Sequence, residues 1–523
     1  MWRVIVLLGL IVIFLTSCSK ASLRDEETIV LTLPQEPQTL NPVSALDLYS
    51  SRVIGFVYDS LFDVDKELNF VPKIVEKYVV SEDSTLFRFK LREDARWHDG
   101  MPITADDVIY TFSMITNPLS RAFNKVAQYR DVEYVRKIST YEFEVKYSRP
   151  YAPALESWAM TPIPKHIFEK EDFHNTRYNS FPIGSGPYTV RKIVPGQYIV
   201  LEKVTNYWDR KKEPKIRRVI FKIIKDPTVE FNALKVGDTD LAGIRPIDWV
   251  NQVQQAWFKK EFNSYKYHTL SISQIALNLK DEILSDKLVR KALAHSINKE
   301  EIRKNVYFGL ALPLSGPFPP NSWAYNPDVK DYEFSLEKAS ELLDRAGWRD
   351  TDGDGIRDKE GKKLSLELIV SQGSEIGIKI GEILKETLKK IGVELNIRVM
   401  EWSMVTKTID SRTFQMVMFG WQLSIDPDPY DLWHSSQIKG GINYVSYANS
   451  EVDRLCEMGR RIFNRSERKK LYARVHRIIN EDLPYLFLFS SASLVGANKR
   501  VRGIDPSTVG IYWNFHTWML ERP

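Results

Sequence analysis

Two spacings of apolar residues alternate along the chain. Ile29-Val30-Leu31-Thr32-Leu33 is a near-continuous apolar run stopped by Pro34 and predicts a buried first strand. Val53, Ile54, Val57, Tyr58 and Leu61 recur at helical spacing and predict a helix from Ser50 to Leu61. Tyr78-Val79-Val80 and Leu86–Leu91 bracket the polar Ser81-Glu82-Asp83-Ser84, a hairpin pattern. Thr104 predicts an N-cap for a helix to about Ile115, with Asp106 and Asp107 at its positive end. Tyr141–Val145 alternates as a strand. Further strands are expected at Tyr198–Lys203, Val219–Ile224, Gln274–Leu279, Leu364–Val370 and Val393–Val399. Helices are expected from Asp226-Pro227 through Val236, over Lys287–Ser296 and over Ile376–Ile391. The order is β–α–β with antiparallel hairpins inserted, a mixed α/β class. No repeat or low-complexity segment interrupts it. A body of this length exceeds one core, and no Gly/Ser linker divides it, so domains joined by several chain crossings are expected.

The N-terminus departs from this pattern. Arg3 precedes an apolar run from Val4 to Leu15, shorter than the roughly 20 residues a membrane span needs but suited to a signal-peptide core. Leu15-Thr16-Ser17-Cys18 resembles a lipobox, which implies cleavage before Cys18 and acylation of that residue. Residues 1–17 are then the signal and 18–27 a polar tether; each buried acyl CH₂ contributes about 0.8 kcal/mol to anchoring. An uncleaved anchor helix is the alternative, and both readings put the remainder outside the cytoplasm. The other cysteine, Cys456, shares an apolar helix face with Val452 and Leu455 and reads as an inert core thiol. With Cys18 acylated, no internal disulfide forms and the core alone holds the fold.

Composition narrows the partners. The chain has 523 residues, 43% hydrophobic and 27% charged, an ordinary globular balance consistent with two or three domains. The net charge of +5 includes Arg3 in the signal, and no basic stripe argues for nucleic acid.

Five blocks follow one another along the chain: Leu31–Pro34 with Leu40-Asn41-Pro42; Trp97-His98-Asp99-Gly100 through Val108; Gly184-Ser185-Gly186-Pro187-Tyr188 followed by Asn206-Tyr207-Trp208; Asn278 with Leu288–Leu293; and Gly420-Trp421 with Pro427-Asp428-Pro429. Together and in this order they resemble the solute-binding proteins of peptide and nickel ABC importers (family 5). Physically these are turns, caps and bends, more scaffold than ligand contact. The resemblance implies a bilobed periplasmic-binding-protein fold (type II, cluster C-like) with an extra inserted domain. Domain I would comprise 28–50, 184–271 and 490–523, domain II the insert 51–183, and domain III 272–489. It also implies a monomeric, cofactor-free receptor, periplasmic or on the cell surface, that is anchored to the membrane through Cys18. Such a receptor would close on a peptide and deliver it to an ABC permease.

Peptide-binding relatives hold the ligand extended and pair it with protein backbone, and a carboxylate takes its free amine. The family places that carboxylate three residues after the tryptophan matching Trp421, where this chain has Ser424. Asp426 and Asp428 are the nearest substitutes, with a turn role as the alternative for Asp426; a ligand without a free amine, such as a sugar, is the other possibility. The segment from Phe419 through Trp421 to Tyr430 is expected to line the cleft, with Trp402, Tyr444 and Trp513 as aromatic walls or core.

Asp350, Asp352, Asp354 and Asp358 resemble a calcium loop. The twelfth position is Gly361 rather than Glu, so the segment reads first as a polar turn. HExxH, GxSxG and GxxxxGK[ST] are absent. None of the 8 histidines stands at helical spacing from another. A binding protein, not an enzyme, is therefore expected, with oligosaccharide or a metal chelate as alternative ligands and a lipid-anchored hydrolase as the rival class.

Overall fold

The computed structural model describes residues 25–120 and 122–521. The expected signal peptide and acylation site at Cys18 lie outside the described residues. Among the described residues no helix is long and apolar enough to cross a membrane.

The first strand, Thr28–Leu33, is buried at every position. It pairs in parallel with Arg218–Ile223, and the sheet continues antiparallel through Tyr198–Lys203 to Tyr188–Val194. A second, antiparallel sheet has Ser493–Asn498 between Leu241–Gly243 and Phe262–Tyr267. A third is the antiparallel set Val75–Val80, Leu86–Leu91, Glu142–Tyr147 and Val132–Lys137. One continuous apolar cluster serves the first and third sheets, with Phe56, Tyr188 and Phe221 at one end and Phe89, Phe143 and Trp158 at the other.

The other half of the molecule is built on a six-stranded sheet. Its order is Ala311–Pro313, Tyr485–Ser491, Ser271–Leu277, Met416–Gln422, Ser365–Ser371, Glu394–Met400. The helix Glu375–Lys389 connects the parallel pair Ser365–Ser371 and Glu394–Met400 as a βαβ crossover. Period-2 alternation divides the side chains between two cores. Ile275, Leu277, Met416 and Met418 face the helices Lys287–His295, Leu336–Arg345 and Glu375–Lys389. Ile272, Ala276, Val417, Tyr485 and Phe487 face Trp402–Ser411, Ser450–Arg461 and Arg465–Asp482. Cys456 is buried in this second core, as its helical spacing predicts.

The chain passes between the two halves at two short crossings, Tyr267 to Ser271 and Ser491 to Ser493. The result is an α/β molecule of two lobes, the architecture a cleft-closing protein needs.

Most predicted elements form within a residue or two. Thr104 opens the helix Ala105–Thr116, its backbone N–H donating to Asp107 Oδ2 at 2.8 Å. Asp226 caps Pro227–Lys235 by accepting from Thr228 and Val229. The helix predicted to reach Leu61 instead spans Leu48–Val57. The Val57 carbonyl accepts from Gly186 N at 2.8 Å, and Leu61 N donates to Met160 O at 2.9 Å, so tertiary partners take both groups.

A neighbouring contact joins two of the recognised motifs. Gly184 N donates to His98 Nδ1 at 3.1 Å, which leaves the Nε2 proton for the Gly186 carbonyl at 2.8 Å. Tyr207 and Trp208 both donate to the buried Asp59, which also pairs with Lys73 at 2.8 Å. The Asp350–Asp358 segment is a turn: Asp350 accepts from Gly353 and Gly355, and Asp358 from Thr351. Carboxylate oxygens of Asp350, Asp352 and Asp358 lie within 4.8 Å of one another. Lys363 supplies counter-charge to Asp352 and Asp354 at 2.5 and 2.9 Å.

Candidate functional site

The strand Met416–Gln422 pairs along its full length with Ser271–Leu277. Its other neighbour, Ser365–Ser371, meets it only at Leu368–Met416 and Ile369–Val417. The ladder between them stops at Val417, so on this side Met418–Gln422 has no paired strand among the described residues. Gly420 lies on this stretch, where an added Cβ would stand 2.9 Å from the Ile272 carbonyl oxygen.

Alternation puts Phe419 and Trp421 on one face. The Trp421 ring stacks on Tyr444 with centroids 6.1 Å apart and planes 4° apart, and Phe419 meets Trp421 edge-on at 5.4 Å. Beside them Gln274 is fully buried between Phe419 and Phe487 in register, with neither side-chain amide atom hydrogen-bonded among the described residues.

Beyond the strand the chain turns. Ser424 is exposed. Ile425 N and Asp426 N donate to the two carboxylate oxygens of Glu156, at 3.1 and 2.9 Å. Asp426 receives Arg468 through both oxygens at 2.7 and 2.5 Å, and Arg468 also donates to the Tyr472 hydroxyl. Arg460 donates to Asp428 at 2.6 Å and to Asp431 at 3.2 Å, with its guanidinium 3.7 Å from the Tyr430 ring centroid. Burial pushes the Asp426 carboxyl up against the lowering effect of Arg468. Burial and the nearby charge of Asp426 push Glu156 up to about 8.

The structure thus brings together Phe419, Trp421 and Tyr444 and places Ser424 at the open turn beyond them. It pairs both aspartates with protein partners. Arg468 occupies both oxygens of Asp426, whereas Asp428 receives Arg460 at Oδ2 and the Tyr430 backbone N–H at Oδ1. Tyr430 is buried and stacked on His434 rather than lining an open wall. Trp402 stands half exposed at the start of its helix, and Trp513 donates to Asp505 O at 2.5 Å. Neither shares a ring contact with the Trp421 group.

Residues 69–443 match the family described as bacterial extracellular solute-binding proteins, family 5, middle region. The chain belongs to that family. The oligopeptide-binding protein AppA of Bacillus subtilis is 33% identical over 504 residues, covering 93% of this chain and 90% of that protein. Its solved structure, in complex with a nonapeptide, superposes with a TM-score of 0.82 at 30% identity and covers 95% of this chain and 99% of that one. NikZ from Campylobacter jejuni, solved with Ni(L-His), gives 0.83 at 26% identity over 95% of this chain and 100% of that one. The resemblance carried by the Trp97–Val108 and Gly184–Tyr188 motifs is borne out, and with it the bilobed fold. Family 5 proteins are extracellular substrate-binding receptors, not enzymes.

Sequence reasoning missed Glu156, Arg460 and Arg468. Glu156 meets its partners across 269 and 270 residues, and no local spacing announces it. Arg460 and Arg468 lie on amphipathic helices, where an arginine ordinarily reads as solvated surface.

Proposed function

We propose that this chain captures peptides in extended conformation between its lobes and delivers them to an ABC permease, held at the membrane by lipid on Cys18. The observation that carries the reading is the open edge of Met418–Gln422. An extended peptide can add there as a strand, with main-chain hydrogen bonds for affinity and the Trp421–Tyr444 wall beside it for its side chains. The nonapeptide bound by the similar AppA structure supports the same ligand class. In this reading 28–50, 184–271 and 490–523 form domain I, 51–183 the insert and 272–489 domain III, with closure about the two crossings.

Native mass spectrometry of the purified protein, followed by calorimetry with defined peptide pools, tests the ligand class. Retained peptide masses and saturable heats are expected. Retention of a sugar or metal chelate alone would replace the peptide assignment. A chelate is the second reading, supported by the absence of an acid at Ser424 and by the likeness to the nickel–histidine complex. Metabolic labelling with palmitate, compared between the natural chain and Cys18→Ser, tests the anchor.

A further inference from the structure

The residue that ties the lobes together beside the binding strand comes from far away in the sequence. Glu156 lies in the short helix Ala154–Ser157, packed with the four-stranded sheet of the first lobe. Both its acceptor oxygens are engaged across the lobe boundary, by the backbone N–H groups of Ile425 and Asp426. Other contacts cross the same boundary. Ala152 N donates to Arg460 O at 2.6 Å, Arg465 reaches Asn69 Oδ1 at 3.3 Å, and the Phe87 and Phe463 rings lie 6.1 Å apart. Rotation about the two crossings must break these contacts as the lobes part.

We propose that Glu156 is a clasp and a positioning residue: when the lobes shut, its carboxylate holds the Ile425–Asp426 turn and thereby fixes the end of the binding strand. The proposal rests on the reading that ligand is captured between the lobes. It assigns to Glu156 a role that acts through the loop rather than on the ligand.

The surroundings make the clasp sensitive to protons. Asp426 and Asp428 face Glu156 from the loop; behind them Arg465 and Arg468, the latter joined to Tyr472, face Asp426, and Arg460, over the Tyr151 ring, faces Asp428. Arg468 is committed to Asp426, and Arg460 to Asp428 and Asp431; among the described residues no cation forms a salt bridge with Glu156. Closure therefore buries an uncompensated carboxyl beside two acids, and burial and Asp426 raise it to about 8 from its ordinary 4.5. A neutral carboxyl still accepts hydrogen bonds, so the clasp survives protonation. Below the ordinary value both states are protonated and pH has no effect through this group. Between the two values the closed state binds more protons, so closure weakens as pH rises, approaching about tenfold per pH unit. Above the raised value the loss levels off.

The test is small-angle X-ray scattering of the ligand-free chain at pH 5.5 and 8.5, comparing the natural protein with Glu156→Gln and Glu156→Ala. The natural chain is expected to be more closed at pH 5.5. Glu156→Gln, neutral throughout, should show the same lobe separation at both values, and Glu156→Ala should be the more open at pH 5.5. Circular dichroism confirms folding, and if the alanine variant fails to fold, the natural chain and the glutamine variant still decide. An unchanged pH response in Glu156→Gln, or no response in the natural chain, overturns the clasp. Peptide titrations on the same samples are read separately: absence of binding refutes the peptide ligand, while the scattering still judges the clasp.

Discussion

Arg468 holds both carboxylate oxygens of Asp426 at 2.5 and 2.7 Å, with 5% of the arginine side chain and 11% of the aspartate exposed. The loop after Met416–Gln422 thus spends its acid on an internal partner. A charge pair removed from water this far is stable only while both members remain, because either one alone is a buried, uncompensated ion. Arg468→Met is therefore expected to lower stability by about 3–5 kcal/mol. Adding Asp426→Leu to that variant should recover most of the loss. Scanning calorimetry of both variants checks this; equal thermal midpoints for the single and double variants would show that the pair is not coupled.

Two glycines bound to the same helix give opposite predictions. Gly55 lies inside Leu48–Val57, where an added Cβ meets nothing within 4 Å. Gly55→Ala should stabilise by about 0.5–1 kcal/mol by removing glycine's entropy cost in a helix. Gly184 packs against the end of that helix, where a Cβ would stand 2.0 Å from the Val57 carbonyl oxygen. Gly184→Ala must displace backbone and should destabilise by at least about 1–3 kcal/mol. Thermal midpoints moving in the same direction for both variants would contradict this packing.

Local rules made much of the fold legible. The buried strand at Thr28–Leu33, the cap at Thr104 and the helix start at Asp226-Pro227 depend on neighbours a few residues away. The helix end at Val57 does not, because a distant glycine amide takes its carbonyl. The site divides in the same way. Phe419 and Trp421 share a face because strand period is two, and their segment carried a family motif. The neutralisation of Asp426 depended on a guanidinium 42 residues away on another helix. An aspartate before proline presents the same sequence pattern whether its carboxylate is paired or free.

His476 predicts a limit to acid stability. It is fully buried, accepts from Asn326 N at Nδ1 (3.4 Å), and directs Nε2–H to Ser315 Oγ at 3.3 Å. Burial lowers it to about 4 from an ordinary 6.5. Between these values the unfolded chain binds more protons than the folded one, so stability falls as pH drops through this window. It is unaffected by this group above the window. The whole loss is about 3 kcal/mol. His476→Gln should be less stable at pH 7.5 but lose less on acidification to pH 4.5. Thermal midpoints of both proteins across that range measure the difference, and parallel curves would remove His476 as the cause.

Ser424→Asp tests how the chain treats a ligand amine. Position 424 is exposed at the turn after Met416–Gln422, and its neighbours Ile425 and Asp426 are held by Glu156. A carboxylate there can meet an ammonium without first giving up a protein partner, unlike Asp426. A charge-assisted hydrogen bond contributes about 1.5–3 kcal/mol, so affinity for peptides with a free N-terminus should rise about tenfold or more. N-acetylated forms of the same peptides should not gain. The peptide α-ammonium loses its proton at about pH 8, so the gain should be larger at pH 6 than at pH 8.5. Paired calorimetric titrations of free and acetylated peptide at both pH values provide the measurement. An equal gain for the acetylated peptide would mean that the substitution acts on the loop, not on the amine.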